Sequence, residues 1–512
     1  MSDNPQLKIL TLNKASQLSQ KLRKQGKNIV LCHGVFDLLH PGHIKHFQSA
    51  KSFGDILIVT ITADKYVNKG PGRPVFNEKL RSEVLSAISA IDYVAIVESS
   101  NAIYAISKIK PHVYVKGPDY KNRKPNPNIP RKLGEEEAAV KALGGILKFT
   151  DDIIFSSSHL INEHLDVYSP ITKKYLNEFK QNHEADAVIE TLTTLRSKKI
   201  LVIGDSIIDE YDYCETMGKS SKEPIVVHRY ISKEQFAGGT LATANHLASL
   251  SSQVTLISLL GKKRSFRGFI DRRLKPEISA KFFLQPGEST IVKRRFVDMA
   301  TRQKLFQISF IKDKTLDQKI ETQVVKFLKK ELGNFDIVIV NDFGHGFLTE
   351  KIVRLLSHRA KFLALNVQAN SANYGFNVIT KYPRADYICI DEHELRLATH
   401  DKYGNLDSLI KKIARKMKCR LLLVTRGSNG SISYSSNNSF ISTPTFTDHV
   451  VDRVGAGDAF FAITAPCVYA GMDEHEVGFV GNVAGALKVQ TVGNKFPLEF
   501  KDMTKFITRL LK

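Results

Sequence analysis

The chain has 512 residues, of which 42% are hydrophobic and 25% charged, and its formal net charge at pH 7 is +22. This length predicts two or three domains, because one core rarely extends over so many residues. The composition is that of a globular protein. The longest nearly apolar run, residues 459–472, is too short to cross a membrane and contains Pro466. The five cysteines are scattered and lie mostly in apolar runs, so neither a disulfide framework nor a zinc site is predicted.

The excess of Lys and Arg suggests nucleic-acid binding as a first hypothesis. These residues are, however, spread along the chain, without a basic module interleaved with aromatics and without a long basic tail. An enzyme that handles nucleotides and sugar phosphates benefits from the same positive field, so we expect no nucleic-acid partner. The first residues lack the basic and apolar regions of a signal peptide, and we expect a cytoplasmic protein with no membrane partner.

Residues 1–27 are polar and predict a helix. From residue 28 to about 165, apolar runs alternate with amphipathic segments, which predicts a parallel sheet with helices on both faces. The predicted segments are 55–62, 78–90, 93–97, 102–109, 112–116, 135–142 and 146–149. We therefore assign residues 1–165 to a first α/β domain.

Residues 166–197 are polar and carry few apolar anchors, and we interpret them as the interdomain connection. A second alternating region, residues 198–512, begins with the buried strand pattern of residues 199–203. Two stretches, 225–230 and 290–297, alternate apolar and polar residues and predict a small exposed sheet. Further parallel strands are predicted at 336–340, 362–366, 387–390 and 421–425. The second domain is therefore also α/β, with a small β lid.

The stretch from His33 to His43 reads His-Gly-Val-Phe-Asp-Leu-Leu-His-Pro-Gly-His. It follows an apolar run, residues 29–32, that predicts a buried strand, and it leads into a segment with helical spacing. His40 and His43 therefore stand at a helix start, where backbone amides and the helix dipole favour an anion. Two imidazoles there can stabilise a phosphoryl group that gains charge in a transition state, although a single histidine is usually a packed or solvated side chain.

This stretch closely resembles the HxGH signature of the nucleotidyltransferase superfamily that includes cytidylyltransferases and the adenylyltransferase half of the bifunctional heptose kinase/adenylyltransferase. The resemblance implies a Rossmann-like domain with catalytic roles for His40 and His43. The cations of residues 69–81, the strand end at 115–120 and the serine cluster at 156–158 follow the order of that family. The nucleotide-binding residues so implied are Gly34, Phe36, Asp37, Lys69, Arg73, Arg81, Lys116, Ser156, Ser157 and Ser158.

The nucleotide of this half is left open between ATP and CTP. Glycerol-phosphate cytidylyltransferases carry an Arg shortly before the serine cluster, whereas this chain has Asp151-Asp152. The heptose enzymes also lack that Arg, which slightly favours ATP. The base is chosen by a few pocket contacts that the sequence does not locate.

A second stretch has residues suited to catalysis. It covers residues 452–460 and reads Asp-Arg-Val-Gly-Ala-Gly-Asp-Ala-Phe. Glycines that open a helix offer backbone amides to a transferring phosphoryl group, and Asp458 in the first turn can accept the proton of an attacking hydroxyl. A short Gly-x-Gly-Asp also occurs in ordinary turns, but the nine-residue string resembles the GAGD signature of ribokinase-like sugar kinases. No Gly-x-x-x-x-Gly-Lys-Ser/Thr stretch occurs in the sequence, which excludes a P-loop kinase.

The resemblance to ribokinase-like kinases spans about residues 198–510 and implies an ATP- and Mg²⁺-dependent kinase that forms a homo-oligomer through its lid. Asp458 is the implied catalytic base. Asp391 and Glu394 are implied to order Mg²⁺ through water. The implied substrate-binding residues are Asp205, Asp209, Gly238 and Gly239, and the nucleotide-binding ones are Thr425, Gly427, Gly430, Gly455, Ala456 and Gly457.

Departures from the heptose kinases concentrate on the sugar side. Where those kinases have Asp-Tyr-Gly-Lys-Gly, this chain has residues 342–346, with His345 in place of the Lys. Where they have Asp-Pro-Lys, it has Asn366-Val367-Gln368, and after Gly238-Gly239 it has no Asn until Asn245. The catalytic end is retained while the substrate end differs, which predicts changed specificity rather than an inactive kinase.

Together the two halves predict a bifunctional enzyme that resembles the heptose enzyme with its domains in reversed order. Its substrates would be a sugar or sugar phosphate and nucleotides, and its product an ADP- or CDP-activated sugar for surface glycan synthesis. The alternative is a nucleotide-sensing regulatory protein, or an enzyme with one active half.

Overall fold

The computed structural model describes residues 5–67, 71, 73–117, 132–150, 168–311, 314–437 and 439–512. The chain divides into two compact units, Met1–Ser169 and Pro170–Leu511. Each unit has its own sheet and its own hydrophobic core.

In its described residues the first unit has a six-stranded parallel sheet in the order β1-β4-β3-β2-β5-β6. Successive residues of a strand point to opposite faces: Leu31 belongs to the core formed with α1 and α4, and Val30 to the core formed with α2 and α3. The predicted sheet with helices on both faces is confirmed. The strands are β1 (Ile9–Thr11), β2 (Ile29–Gly34), β3 (Ile56–Thr62), β4 (Tyr93–Val97), β5 (Val113–Lys116) and β6 (Ile146–Phe149), and the helices are α1 (Leu12–Lys24), α2 (Pro41–Lys51), α3 (Glu78–Ser86), α4 (Ala102–Ile109) and α5 (Lys132–Lys141).

The strand order changes direction at β2. From β2 the chain continues to β3 and β4 on one side, and it later returns to β5 and β6 on the other. A crevice forms outside the carboxyl ends of the strands at such a point, and ligands bind there in open α/β sheets. This crevice lies beside Gly34, which ends β2, and Lys116, which ends β5.

The helical prediction for residues 1–27 was wrong at its start. Ile9–Thr11 forms β1, a parallel strand at the sheet edge beside β4, and α1 begins only at Leu12. A strand of three residues is too short to show a period in the sequence.

The second unit contains a mainly parallel sheet, which within the described residues has the order β10-β9-β7-β13-β14-β15-β16-β17-β18. Only β17 and β18 at one edge run antiparallel to their neighbours in this path. The strands are β7 (Lys199–Lys219), β8 (Val226–Gly239), β9 (Gln253–Gly261), β10 (Ile278–Gln285), β11 (Ile291–Asp298), β12 (Lys304–Phe310), β13 (Ile337–Asp342), β14 (Leu363–Val367), β15 (Tyr387–Asp391), β16 (Leu421–Thr425), β17 (Ser431–Ser435) and β18 (Phe440–Thr443). The helices are α6 (Pro170–Asn182), α7 (Ala185–Thr194), α8 (Thr240–Leu247), α9 (Arg267–Arg273), α10 (Gln318–Glu331), α11 (Glu350–Arg359), α12 (Glu392–Thr399), α13 (Leu406–Met417), α14 (Ala456–Tyr469), α15 (Glu474–Lys488) and α16 (Phe500–Leu510).

The lid is an extension of β7. Up to Asp205 this strand pairs with β9 and β13 of the main sheet, and from Ser206 onward it pairs with β8 (antiparallel) and β11 (parallel). The strand β12 completes the lid beside β11. The sequence predicted two lid strands, and the structure adds the far half of β7 and β12. Asp205 and Asp209 therefore lie where one continuous strand passes from the main sheet into the lid.

Residues 170–197 form α6, α7 and a short 3-10 helix, and all of them belong to the second unit. Phe179 of α6 is buried and stacks on Phe479 of α15 at 4.4 Å between ring centroids, and Thr172 donates a hydrogen bond to the Thr445 carbonyl. The connecting role of residues 166–197 stays a prediction, but most of this segment packs within one unit.

Candidate functional sites

The two predicted catalytic histidines meet at the start of α2. His40 is the N-cap residue, Pro41 opens the helix, and His43 follows in the first turn. The ring centroids of His40 and His43 are 3.9 Å apart, and the His43 amide donates to the His40 carbonyl at 2.9 Å. Both imidazoles thus lie at the positive end of the α2 dipole, beside the crevice at the carboxyl end of β2.

Gly34 and Phe36 shape the wall next to the histidines. Phe36 has a left-handed backbone (φ 47°), and its ring contacts the His43 ring edge to face with a centroid separation of 5.5 Å. A Cβ built on Gly34 would lie 2.9 Å from the Phe36 ring. Only glycine therefore allows Phe36 to take this position against His43.

Asp37 anchors the loop that carries the predicted phosphate-binding cations. Its buried carboxylate accepts hydrogen bonds from the amides of Val75 (2.7 Å) and Phe76 (3.0 Å), and Nη1 of Arg73 lies 3.3 Å from its second oxygen. Lys69, which the sequence assigned to the same loop, lies outside the described residues. The contacts seen for Asp37 and Arg73 are thus within the protein, and their nucleotide roles stay predictions.

Arg81 contacts the loop after β2 that contains Phe36. Its guanidinium is fully buried and donates to the carbonyls of Val35 (2.5 Å), Thr62 (2.9 Å) and Phe76 (2.9 Å) and to the carboxylate of Asp64. These acceptors come from β3 and from the loops after β2, after β3 and before α3. The observed contacts of Arg81 therefore hold these segments together, while its predicted phosphate contact stays a prediction.

Lys116, at the end of β5, is buried and pairs with Glu136 of α5 at 2.8 Å. Tyr114 donates to the same carboxylate at 3.3 Å. The predicted residues Ser156, Ser157 and Ser158 lie outside the described residues.

Two further histidines of the first unit were missed by the sequence reasoning. Nδ1 of His33 lies 3.0 Å from the Thr60 hydroxyl, and the buried His46 places Nδ1 3.0 Å from the hydroxyl of Thr150. The signal was available for His46, because it continues the three-residue spacing of His40 and His43 along one helix face.

In the second unit, Asp458 lies in the first turn of α14 and is buried. Gly455, with φ +79°, is the N-cap residue, and a Cβ there would lie 2.2 Å from Oδ1 of Asn494. Ala456 and Gly457 complete the helix start. Burial raises the pKa of Asp458 to about 6, although a hydrogen bond from Gln368 opposes this shift.

The predicted sugar-binding acids Asp205 and Asp209, here called the sugar-side acids, lie where β7 passes from the main sheet into the lid. Asp205 accepts hydrogen bonds from the amides of Phe343 (3.1 Å) and His345 (3.4 Å). Burial, together with the charge of Asp342, raises the pKa of Asp205 to about 7. Asp209 pairs with Arg295 of β11, so that a lid residue neutralises this carboxylate.

Gly238 and Gly239 end β8 against these acids. A Cβ built on Gly238 would lie 2.0 Å from Oδ2 of Asp209, and one on Gly239 (φ +57°) 2.7 Å from the Asp205 carbonyl. The glycine pair is thus required by the close approach of the acid-bearing strand.

Two residues near the acids were not singled out from the sequence: Lys293 and Lys488. Gln368 was named there only as a departure from the heptose kinases. Lys293 on β11 stands in register with Asp209, and burial lowers the pKa of its ammonium. The basic run at 293–295 in a predicted lid strand was the available signal.

Asp391 and Glu394 form a capping box at the start of α12. Asp391 accepts from the Glu394 amide at 2.7 Å, and Glu394 accepts from the amides of Asp391 (2.9 Å) and Ala369 (3.1 Å). Burial and the charge of Asp391 raise the pKa of Glu394 to about 8, and Asp458 acts in the same direction. These acids therefore crowd negative charge near the base.

The predicted nucleotide-side turn joins β16 to β17. Thr425 ends β16 beside Asp391 of β15. Gly427 and Gly430 both have positive φ, and a Cβ on Gly430 would lie 2.0 Å from the Thr443 carbonyl. The turn is thereby held tightly against β18.

The fold and these sites define the second unit as a ribokinase-like α/β kinase domain, with a Rossmann-like domain ahead of it in the chain. The pfkB family carbohydrate kinase pattern matches residues 197–501, and the Cytidylyltransferase-like pattern matches residues 31–164. The chain belongs to the pfkB family of carbohydrate kinases. It also carries a cytidylyltransferase-like domain, and the predicted order of the two domains is confirmed.

Curated proteins that carry one common name are similar in sequence to parts of this chain. The chain is 42% identical over 117 residues to the "Bifunctional protein HldE" of Aliarcobacter butzleri, covering 22% of this chain and 25% of that protein. It is 26% identical over 299 residues to the protein of the same name from Campylobacter jejuni subsp. doylei, covering 58% of this chain and 62% of the relative. These matches span less than two thirds of the relatives' own length.

Among solved structures, phosphofructokinase-2 from Escherichia coli in complex with potassium is similar to the chain with a TM-score of 0.50 and 15% identity. The similarity covers 62% of this chain and 100% of that one, and it concerns the fold. No helix in the described ranges is long and apolar enough to cross a membrane.

Proposed function

We propose that the chain is a bifunctional enzyme: the second unit phosphorylates a sugar or sugar phosphate with ATP, and the first joins a sugar phosphate to a nucleotide and releases pyrophosphate. The observation that carries the proposal is that one chain has two helix N-termini at which side chains suited to phosphate chemistry are placed. One brings His40 and His43 together, and the other presents a buried Asp458 near the sugar-side acids.

In the kinase reaction, Asp458 is the general base. It takes the proton of the attacking sugar hydroxyl, whose oxygen then bonds to the γ-phosphorus of ATP while ADP leaves. Asp205 and Asp209 accept hydrogen bonds from other hydroxyls and so orient the sugar. The backbone amides at Gly455–Gly457 stabilise the negative charge of the transferring phosphoryl group.

Mg²⁺ fits the acids of this site when held through water. Both oxygens of Glu394 already accept backbone amides, and the described residues contain no cluster of three or more ligating side chains for direct coordination. Burial and the charge of Asp391 raise the pKa of Glu394, and a divalent cation nearby would favour its ionised form. Bound with ATP, Mg²⁺ would neutralise phosphate charge, and Asp391 and Glu394 would hold its water ligands.

In the nucleotidyl transfer, an oxygen of the sugar phosphate attacks the α-phosphorus of ATP or CTP, and pyrophosphate leaves. His40 and His43 donate hydrogen bonds to the charge that builds on the α-phosphate. The resemblance to the heptose enzymes supports an ADP- or CDP-activated sugar as the product, made for a surface glycan. We propose a cytoplasmic location, because both reactions consume a nucleoside triphosphate.

The lid supports the proposal of a homo-oligomer. Phe306, Ile308 and Phe310 are exposed on one face of β12, which is an edge strand among the described residues. Alternate residues of a strand share a face, and an exposed apolar edge readily associates.

The test is to incubate the protein with ATP or CTP and a panel of sugars and sugar phosphates, and to measure ADP, pyrophosphate and the nucleotide sugar. Asp458→Asn should lower ADP formation by roughly two to four orders of magnitude, while pyrophosphate release from a supplied sugar phosphate continues. A protein that forms neither sugar phosphate nor pyrophosphate from any pair of substrates would contradict the proposal.

A further inference from the structure

Lys488, the last residue of α15, is one of the largest fully buried side chains of the second unit, with 1% of its surface exposed. A buried ammonium is costly unless several oxygens compensate for lost water. Its residue type and position therefore need an explanation beyond packing.

The partners of Lys488 are neutral oxygens. Its Nζ donates to the carbonyls of Gly493 (2.6 Å) and Val454 (3.2 Å), and the Thr491 hydroxyl lies 3.5 Å away. Among the described residues no carboxylate forms an ion pair with it, while Asp452 and Asp458 act at longer range. The carbonyl end of a helix also favours a cation at this position.

These contacts join two segments that lie next to the Gly455–Gly457 turn, which is the proposed site of phosphoryl transfer. Val454 directly precedes Gly455, and Gly493 belongs to the segment 489–494 that packs against that turn. Asp452 contacts the same two residues, because its carboxylate accepts the amides of Val454 (3.1 Å) and Gly493 (2.8 Å). Val454 and Gly493 are thus each held twice: their amides donate to the buried carboxylate of Asp452, and their carbonyls accept from the buried ammonium of Lys488.

We propose that Lys488 is a positioning residue for phosphoryl transfer: its ammonium is a built-in cation that fixes the Gly455–Gly457 turn and adds positive charge beneath it. The proposal rests on the proposed kinase function. Because the carbonyls of Val454 and Gly493 accept hydrogen bonds from the ammonium, the residue that precedes Gly455 is fixed, and with it the helix start at which an anion would bind.

The test compares Lys488→Met with Lys488→Arg and with Lys416→Met, a control that makes the same change at an exposed lysine of α13. Lys488→Met should lower kcat of the kinase reaction by roughly 10², as small misplacements of reacting groups do, and leave the KM for sugar unchanged. Ammonium chloride, with tetramethylammonium chloride as the ionic-strength control, should raise kcat of Lys488→Met and not of the wild type. Lys416→Met and nucleotidyl transfer should be unaffected.

The pH profile separates positioning from a purely structural role. Burial lowers the pKa of Lys488 to about 8, and the facing groups are Asp452, Asp458, Asp209 and Lys304. The ammonium is charged below this pKa and neutral above it, so wild-type kcat should fall as the pH rises through about 8. Lys488→Met should lack that falling limb, and Lys488→Arg should keep its activity to higher pH.

The proposal would be overturned if Lys488→Met kept kcat within about threefold of the wild type, a barrier change of only ~0.7 kcal/mol. It would also be overturned if Lys488→Met kept the falling limb of the wild-type pH profile, or if ammonium did not raise kcat of this variant. If Lys488→Met does not fold, Lys488→Gln decides, because it keeps hydrogen-bond donors without the charge and should show the same loss. If the wild type phosphorylates no sugar, the kinase function fails by itself. Calorimetric titration with ATP and ADP then still tests Lys488, since Lys488→Met should lose preference for ATP and an unchanged preference would refute the role.

Discussion

Gln368 donates a hydrogen bond from Nε2 to Oδ1 of Asp458 at 2.8 Å. The same amide nitrogen donates to Oδ1 of Asn366 at 2.8 Å, and Asn366 in turn donates to the Cys389 carbonyl at 2.7 Å. This chain of hydrogen bonds connects the carboxyl end of β14 and the middle of β15 to the proposed base. It fixes one oxygen of Asp458, and in the proposed reaction the other oxygen accepts the proton of the substrate hydroxyl.

The first prediction concerns the pH dependence of the kinase reaction. Asp458 acts as a base only when ionised, so kcat should rise as the pH rises through its pKa of about 6. The hydrogen bond from Gln368 lowers that pKa, and Gln368→Leu should therefore move the rising limb to higher pH. Gln368→Glu should move it further, because a like charge disfavours ionisation of Asp458.

The measurement is kcat against pH for both Gln368 variants, with Gln318→Leu on the exposed start of α10 as the control. A rising limb at the same pH in all of these proteins would show that Gln368 does not tune Asp458.

The second prediction concerns the two histidines of the first unit. If His40 and His43 stabilise charge that develops on the α-phosphate, each alanine variant should lose about two to three orders of magnitude in kcat of nucleotidyl transfer. Nucleotide affinity should change much less, because help confined to the transition state appears in the rate. The assay is pyrophosphate release, together with nucleotide binding and thermal melting.

Kinase activity is the internal control for the histidine variants, since that site lies in the other unit. Packing histidines would instead give variants that melt earlier and keep their activity per folded molecule. We would give up the catalytic assignment if both alanine variants stayed within about threefold of the wild-type rate, under ~0.7 kcal/mol in the barrier.

The third prediction concerns the contact between Gly238 and Asp209. In Gly238→Ala the new Cβ would stand 2.0 Å from Oδ2 of Asp209, so the carboxylate or the end of β8 must move. We expect kcat/KM for the sugar to fall by roughly 10², with the KM for ATP nearly unchanged. Gly333→Ala is the matched control, because nothing lies within 4 Å of a Cβ there. Equal sugar kinetics for the two variants would remove Asp209 and Gly238 from the sugar site.

The fourth prediction concerns assembly through the lid. Ile308→Lys places a charge in the exposed apolar face of β12 and should convert an oligomer into a monomer, as measured by light scattering after gel filtration. Tyr403→Lys is the control, since Tyr403 is also a large exposed hydrophobic residue (88% exposed) but lies outside the lid. A wild type that is monomeric at all concentrations, or an Ile308→Lys protein that stays oligomeric, would argue against the lid as the interface.

Local pattern was enough to determine much of the fold. The apolar runs and helical periods predicted β4, α4, β6 and β16 with the bounds that the structure has. The pairing of His40 with His43 was equally predictable, because two residues three apart on a helix meet whatever surrounds the helix. Asp458 likewise follows its glycines directly in the chain.

What the tertiary structure alone decided are contacts between residues far apart in sequence. Gln368 reaches Asp458 across 90 positions, and Lys293 and Arg295 come beside Asp209 because β11 pairs with the far half of β7. The sequence predicted a strand over residues 199–203, whereas the strand continues through Asp205 into the lid. Hydrophobic periodicity records which face of an element is buried, but not which element covers it. The order and register of the strands set these neighbours, and with them the pKa values of the buried acids and the burial of Lys488.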